Sequence, residues 1–319
     1  MPLTFDMPFE QLKTYSGTNP RPDDFDRYWE HAIEEMNAVD PDVDLVLADF
    51  QVDFADCYQM YFTGVEGARI HAKFLRPKNL SGKYPALLKF HGYTGSSGNW
   101  FDLLPYVAAG FVVAALDVRG QGGLSEDVGE HIGTTHFGHI IRGLDGDPRN
   151  LLFRHIFLDT AQLAQIVTAM PEVDSERIGA IGGSQGGGLA LACSALAPIK
   201  RTAIEFPFLT DYKRVWEMDL AKDAYHELQS YFRNHDPLHQ RENEAFAKLG
   251  YIDVQHLAPR IEAEVLMAVG LMDTICPPST QFAAYNKITS QKALAIYPDF
   301  GHEGLPGFAD QTLLFMNEL

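Results

Sequence analysis

The stretch Arg177-Ile178-Gly179-Ala180-Ile181-Gly182-Gly183-Ser184-Gln185-Gly186-Gly187 decides how this chain is interpreted. A β-forming apolar run leads into the pattern G-x-S-x-G, and a segment of small residues suited to a helix follows at once. A serine between a strand and a helix in this pattern lies on a sharp turn that exposes its hydroxyl above a sheet. The helix N-terminus adds aligned N–H groups and positive potential beside it. The stretch predicts a nucleophile elbow with Ser184 as the nucleophile, although a glycine-rich turn can also be purely structural.

The segments on either side of the elbow predict an α/β fold. Short apolar runs without alternation are typical of strands that are covered on both faces of a parallel sheet; they lie at 86–90, 111–116, 178–181, 263–269 and 293–297. Helices are expected between them, at 158–170, 185–197, 277–288 and 308–319. This alternation predicts a mostly parallel, doubly wound sheet with right-handed crossovers. With the elbow, it indicates an α/β-hydrolase fold, and we expect residues 1–319 to form a single domain.

Three regions depart from the simple alternation. Residues 1–40 predict an N-terminal arm followed by a helix, and residues 43–77 carry adjoining short strands that predict an antiparallel edge to the sheet. Residues 120–153 are rich in Gly and His, whereas residues 207–258 are aromatic, charged and mostly helical. Both are expected above the C-terminal edge of the sheet, where such folds bind ligands. We interpret 207–258 as a lid insertion.

A base and an acid follow the serine in the order that this fold requires, which is Ser, then Asp or Glu, then His. Asp273 comes just after the apolar strand 265–269, and His302 comes just after the strand 293–297. His302 would accept the Ser184 proton, and Asp273 would fix the imidazole tautomer and stabilise the imidazolium. Asp299 is the rival acid, but it lies only three residues before His302, so we favour Asp273.

Two backbone N–H groups are candidates for an oxyanion hole. One is that of Gln185, directly after the nucleophile, and the other belongs to the loop after an early core strand, where Phe90-His91-Gly92-Tyr93 stands. We assign the second donor to Tyr93, which would also border the substrate. His91 could be mistaken for the base, but its position favours a role in shaping this loop.

The remaining metal-ligand and nucleophilic side chains give weaker signals. His131, His136 and His139 do not have H-E-x-x-H spacing, and no carboxylate pattern supports a metal site, so none is predicted. Cys276 lies three residues after Asp273. It either lines the substrate pocket or is a small buried apolar residue, and the sequence does not distinguish these two interpretations.

Composition narrows the classes of partner and compartment. The formal net charge is −18, which would repel a polyanion, so nucleic acid is not expected to bind. No apolar stretch approaches the roughly 20 residues that span a bilayer, and no secretory signal is visible. The three cysteines are widely spaced and form no C-x-x-C pair, as in proteins of a reducing compartment. We therefore expect a cytoplasmic protein.

Three motifs stand in order along the chain: Arg119-Gly120-Gln121, then 182–186, then His302-Glu303. Together with the segment 23–29 and the Arg142-Gly143 region, they resemble carbohydrate esterase family seven, the acetyl xylan esterases and cephalosporin-C deacetylases. The resemblance implies a serine esterase that needs no cofactor and removes acetyl groups from small substrates such as xylo-oligosaccharides and cephalosporin C. It assigns the same catalytic and oxyanion residues, treats Arg119 and Gln121 as structural or oligomer-supporting, and implies a cytoplasmic, ring-shaped homohexamer.

Other functions remain open from the sequence alone. A peptidase or a longer-chain lipase would use the same fold, because function depends on the site rather than on the fold. A non-catalytic ligand-binding module could also keep the fold, although the intact Ser, Asp and His order argues against it.

Overall fold

One nine-stranded sheet organises the structure, a computed structural model that describes residues 5–78, 82–128 and 137–319. The strands lie in the order β1-β2-β3-β5-β4-β6-β7-β8-β9. Their bounds are β1 Asp44–Leu47, β2 Ala55–Thr63, β3 Arg69–Pro77, β4 Tyr84–Phe90, β5 Val112–Leu116, β6 Val173–Gly183, β7 Arg201–Glu205, β8 Glu264–Gly270 and β9 Lys292–Tyr297.

The sheet has two parts that differ in strand direction. From β5 through β4 to β9 all neighbours are parallel, whereas β1, β2 and β3 pair antiparallel with one another, and β3 pairs antiparallel with β5. The prediction of a mostly parallel sheet with an antiparallel N-terminal edge is therefore confirmed. The parallel part brings the carboxyl ends of β6, β8 and β9 to one edge.

Helices cover both faces of the sheet, as expected of a doubly wound fold. Among the described residues they are α1 Phe9–Leu12, α2 Phe25–Asn37, α3 Leu104–Ala108, α4 Leu152–Thr168, α5 Gln185–Leu196, α6 Tyr212–Glu217, α7 His226–His235, α8 Glu242–Leu249, α9 Val254–Leu257, α10 Pro278–Tyr285 and α11 Phe308–Met316. Helices α4 and α5 pack beside β6 and β4 within the larger apolar core, and α3 and α11 pack on the opposite side. None of the helices in the described ranges combines the length and apolar character needed to cross a bilayer.

Two elements differ from the sequence expectation. Strand β7 is not predicted, because its five residues carry an arginine at one end and a glutamate at the other, and the buried middle has a single large apolar side chain. Helix α4 begins six residues before the predicted start at 158. Its first turns include Arg154 and His155, which are buried although they are polar. These residues interrupt the apolar pattern from which the start of the helix is predicted.

A buried ion pair fixes α4 to the end of β5. The Arg119 guanidinium donates two hydrogen bonds of 2.6 Å to the Asp159 carboxylate, and both side chains are almost completely buried. Arg119 also donates to the Val65 carbonyl in the turn between β2 and β3. A Cβ at Gly64 would lie 2.7 Å from an Asp159 oxygen, so only glycine fits there. The pair thus connects three parts of the fold.

The N-terminal arm lies against the 207–258 insertion, which stands between β7 and β8. Asp211, which is fully buried, accepts hydrogen bonds from the Tyr15 hydroxyl at 2.7 Å and from the backbone N–H groups of Thr18 and Asn19 at 3.0 and 2.8 Å. The insertion carries helices α6 to α9. One buried carboxylate therefore holds the arm to the insertion.

We expect Arg119→Met or Asp159→Leu alone to lower the free energy of unfolding by about 3–5 kcal/mol, because each leaves an unpaired buried charge. The double variant should recover most of that loss, because both charges are replaced by apolar groups. Urea unfolding of the two single variants and the double variant measures this. If the two losses simply add in the double variant, the ion pair is not coupled as described.

Candidate active site

Ser184 lies on a strained turn between β6 and α5. Its backbone has φ 56° and ψ −121°, an unusual combination for a residue with a side chain, and α5 begins at the next residue. A Cβ at Gly182 would overlap the backbone of Gly186, and a Cβ at Gly186 would overlap the Phe90 carbonyl. The glycines of the motif are therefore required by the close approach of β6, α5 and the end of β4.

The structure brings Ser184, His302 and Asp273 together. The His302 Nε2 atom lies 3.0 Å from the Ser184 Oγ atom, and the His302 Nδ1 atom lies 2.8 Å from an Asp273 carboxylate oxygen. These are hydrogen-bond distances in the relay expected of a nucleophile, a base and an orienting acid. The imidazole ring also packs on Phe206, with ring centroids 4.4 Å apart.

The surroundings of Asp273 differ from those of Asp299, the rival acid. Asp273 is fully buried, and one of its oxygens accepts the backbone N–H groups of Ile275 and Cys276 at 2.9 and 2.8 Å. The other oxygen is left to face His302. Asp299 is exposed to solvent. Only Asp273 therefore has a fixed carboxylate that holds the imidazole.

The two predicted oxyanion residues flank Ser184. Gln185 begins α5, and Tyr93 follows the end of β4, which neighbours β6. Among the hydrogen bonds within the described ranges, none uses the backbone N–H of Tyr93 or of Gln185. Neither N–H group therefore has a competing acceptor among those hydrogen bonds.

His91 is occupied by contacts within its own loop. Its Nε2 atom accepts the Val118 backbone N–H at 3.0 Å, and its Nδ1 atom donates to the Gly92 carbonyl at 2.7 Å. Burial lowers the pKa of this imidazole, which keeps it neutral. Both ring nitrogens are therefore engaged in hydrogen bonds to backbone groups of the loops around His91.

The side chain of Tyr93 reaches the insertion. Its hydroxyl donates to the Glu227 carboxylate of α7, and the same carboxylate oxygen accepts the His139 backbone N–H at 2.8 Å. The Tyr93 ring lies edge-on to Phe208, with ring centroids 5.2 Å apart. Burial raises the pKa of Glu227, although both donors favour its charged form. Glu227 is not predicted from the sequence, because no motif marks a glutamate in the middle of a helical insertion.

Cys276 and Glu205 complete the surroundings of Ser184. Cys276 is fully buried, and burial, with the nearby Asp273 charge, raises the pKa of its thiol well above the usual range, while a hydrogen bond with Ser184 opposes the rise. Glu205 ends β7 beside Gly183, and its backbone carbonyl accepts the Ser184 N–H at 3.0 Å. Burial also raises the pKa of Glu205. Glu205 is not predicted from the sequence, because β7, the strand that it ends, is not predicted either.

The ligand atoms of Asp273, Cys276 and His302 lie within 4.8 Å of one another, a spacing that a metal ion could bridge. Asp273 and His302 already share a hydrogen bond, and the raised pKa of Cys276 opposes the thiolate that metal binding requires. These features suit a proton relay better than a metal centre. Of the histidines considered from sequence, His139 is buried, and His131 and His136 lie outside the described residues.

The sheet and the geometry around Ser184 define an enzyme of the α/β-hydrolase fold. The acetyl xylan esterase (AXE1) family model matches residues 1–319, and the chain belongs to that family. It is therefore an esterase, as the sequence resemblance implied.

Solved and curated relatives agree. The crystal structure of acetyl xylan esterase 1 from a Thermoanaerobacterium species is 62% identical, with a TM-score of 0.96 and coverage of 98% of this chain and 99% of that one. An acetyl xylan esterase from a Paenibacillus species is 36% identical, with a TM-score of 0.92 and the same coverage. Acetyl esterase Axe7A of Xylanibacter ruminicola is 27% identical over 91% of this chain, which spans 64% of that relative's length.

We expect Asp273→Asn to lower kcat by about 10⁴-fold, because an amide in this place favours the wrong imidazole tautomer. Asp299→Asn is the matched control and should stay within about twofold of the wild type, because it removes an exposed carboxylate. Hydrolysis of 4-nitrophenyl acetate measures both. A large loss in Asp299→Asn with little loss in Asp273→Asn would reverse the assignment of the acid.

Proposed function

We propose that this esterase removes acetyl groups from small O-acetylated substrates through an acetyl-enzyme intermediate on Ser184. The observation that carries the proposal is the pair of hydrogen-bond distances, 3.0 Å and 2.8 Å, that connect Ser184 through His302 to Asp273. Membership of the acetyl xylan esterase family supports the acetyl group as the one transferred.

The proposed reaction has two halves. The Ser184 oxygen attacks the acetyl carbonyl while His302 takes its proton, and the backbone N–H groups of Tyr93 and Gln185 stabilise the tetrahedral oxyanion. The alcohol leaves with the proton from His302. Water, deprotonated by His302, then attacks the acetyl-enzyme, and acetate is released with Ser184 restored. No step requires a cofactor.

Residues beside Ser184 would limit the size of the acyl group. Cys276 is buried against the nucleophile, and the Tyr93 ring is held by Glu227 and Phe208. We propose that both border the substrate and that residues 207–258 form a lid above it. The fixed positions of these side chains support a preference for a short acyl group.

The substrate class follows from the relatives and from the resemblance. Two solved relatives are named acetyl xylan esterases, which supports acetylated xylo-oligosaccharides as substrates. The acetoxy group of cephalosporin C offers the same acetyl ester on another small molecule, and we propose it from the family resemblance. A cytoplasmic location is supported by the three cysteines, which are all buried and unpaired.

The central test is acetate release by Ser184→Ala, which we expect to be at least about 10⁴-fold slower than that of the wild type. A series of nitrophenyl esters from acetate to octanoate, together with acetylated xylo-oligosaccharides, polymeric xylan and cephalosporin C, tests the substrate. Acetate should be the best acyl group. Faster turnover of octanoate would favour a lipase, and unchanged release by Ser184→Ala would remove Ser184 as the nucleophile.

We also propose a homohexamer, which the family resemblance supports and whose interior would restrict substrate size. Light scattering should give six times the 35.6 kDa mass of one chain. A mass near that of one chain would contradict it.

A further inference from the structure

Gln121 lies between the two segments that carry the oxyanion donors. It follows β5 in the loop that begins with Arg119, and its side-chain oxygen accepts the Thr94 backbone N–H at 3.0 Å. Its side-chain nitrogen donates to the Gln185 side-chain oxygen at 2.7 Å, and the Gln185 nitrogen donates back to the Gln121 oxygen at 2.9 Å. Thr94 comes directly after Tyr93, so the one amide of Gln121 contacts both sides of the oxyanion hole.

We propose that Gln121 is a positioning residue that fixes the distance between the two oxyanion donors. The inference rests on the proposed function, because it assigns a role within the same reaction. It differs from the role of general structural support that the family resemblance gave to Gln121.

The Tyr93 side of the hole needs such a restraint. Thr94 has φ 58°, a left-handed conformation that costs free energy in a residue with a branched side chain. Its N–H belongs to the peptide group that joins Tyr93 to Thr94, so the bond to Gln121 restrains that peptide group and with it the ψ angle of Tyr93. A second contact reinforces the first, because the Gly122 N–H donates to the Gly95 carbonyl at 2.9 Å.

The Gln185 side is fixed by the same amide. The Gln185 side chain is fully buried, and its nitrogen also approaches the carbonyl oxygens of His91 and Gly92 at 3.4 and 3.5 Å. Its direct partner is Gln121, so removing that partner leaves a buried amide with weakened hydrogen bonding. Loss of Gln121 would therefore release Thr94 and disturb the first residue of α5 together.

The kinetic consequence is specific to the transition state. Oxyanion donors act when they lie about 2.7–3.1 Å from the oxygen of the tetrahedral intermediate, and loss of one donor costs roughly 10²–10³ in kcat. A displaced donor should cost less than a missing one. An interaction that acts only in the transition state lowers kcat and kcat/KM together and leaves KM nearly unchanged.

The experiment compares Gln121→Met with Gln51→Met. Gln51 is a matched control, because its amide also bridges backbone groups, donating to Ala48 and Cys57 and accepting the Cys57 N–H, at the antiparallel edge of the sheet. With 4-nitrophenyl acetate, Gln121→Met should lose about 10- to 100-fold in kcat with KM within about twofold, because its donors are displaced rather than removed. Gln51→Met should keep the wild-type kcat even if it unfolds at lower urea concentration.

A second readout tests the oxyanion hole itself. The Ser184 oxygen adds to the boron of methylboronic acid, His302 takes the proton, and an oxygen on boron enters the hole. Its inhibition constant should rise in Gln121→Met by about the factor lost in kcat, and that in Gln51→Met should not change. If Gln121→Met does not fold, Gln185→Met breaks the same bridge from the other side while keeping its backbone N–H, and the same results are expected.

The outcomes separate this inference from the proposed function. A kcat within twofold of the wild type, a rise in KM alone, an unchanged inhibition constant, or an equal loss in Gln51→Met would each overturn the role of Gln121. Absence of acetyl ester hydrolysis by the wild type, or full activity in Ser184→Ala, would instead overturn the proposed function.

Discussion

The close approach of β6, α5 and the end of β4 at the elbow is the constraint on which the site depends. Side chains at Gly182 and Gly186 would overlap neighbouring backbone, so the helix can begin against the strand only where Cβ atoms are missing. At this approach the Ser184 backbone has a positive φ, and its hydroxyl oxygen lies 3.0 Å from the His302 Nε2 atom. It also places the start of α5 beside the loop after β4, so the segments that carry Gln185 and Tyr93 meet beside Ser184.

The parallel part of the sheet brings the remaining chemistry to the same edge. Asp273 follows β8 and His302 follows β9, and these strands are two and three places from β6 in the sheet. Side chains separated by 118 residues in sequence, Ser184 and His302, are therefore neighbours in space. The burial of Asp273 and its two backbone donors hold one carboxylate oxygen toward the imidazole.

Much of this could be predicted from the sequence, because strand ends in a parallel sheet follow a fixed order. The elbow, the fold class and the antiparallel edge each leave a local pattern of glycines, apolar runs or alternation. Strand β7 has no such pattern, because a charged residue at each end flanks only three buried residues. Glu205, at the end of this strand, is therefore not predicted either. Glu227 and the bridge through Gln121 depend on contacts between segments that are distant in sequence. Such contacts cannot be predicted from the spacing of neighbouring residues.

The N-terminal arm has a consequence for how the chain acquires its structure. Tyr15 finds its partner Asp211 at a separation of 196 residues. On the ribosome, where chains emerge N-terminal end first, Tyr15 therefore has no Asp211 to bind until the next 196 residues have been synthesised. Long-range contacts of this kind form late, because closing a long loop costs entropy before any contact compensates for it. Tyr15 is therefore synthesised long before it can reach its final place against Asp211.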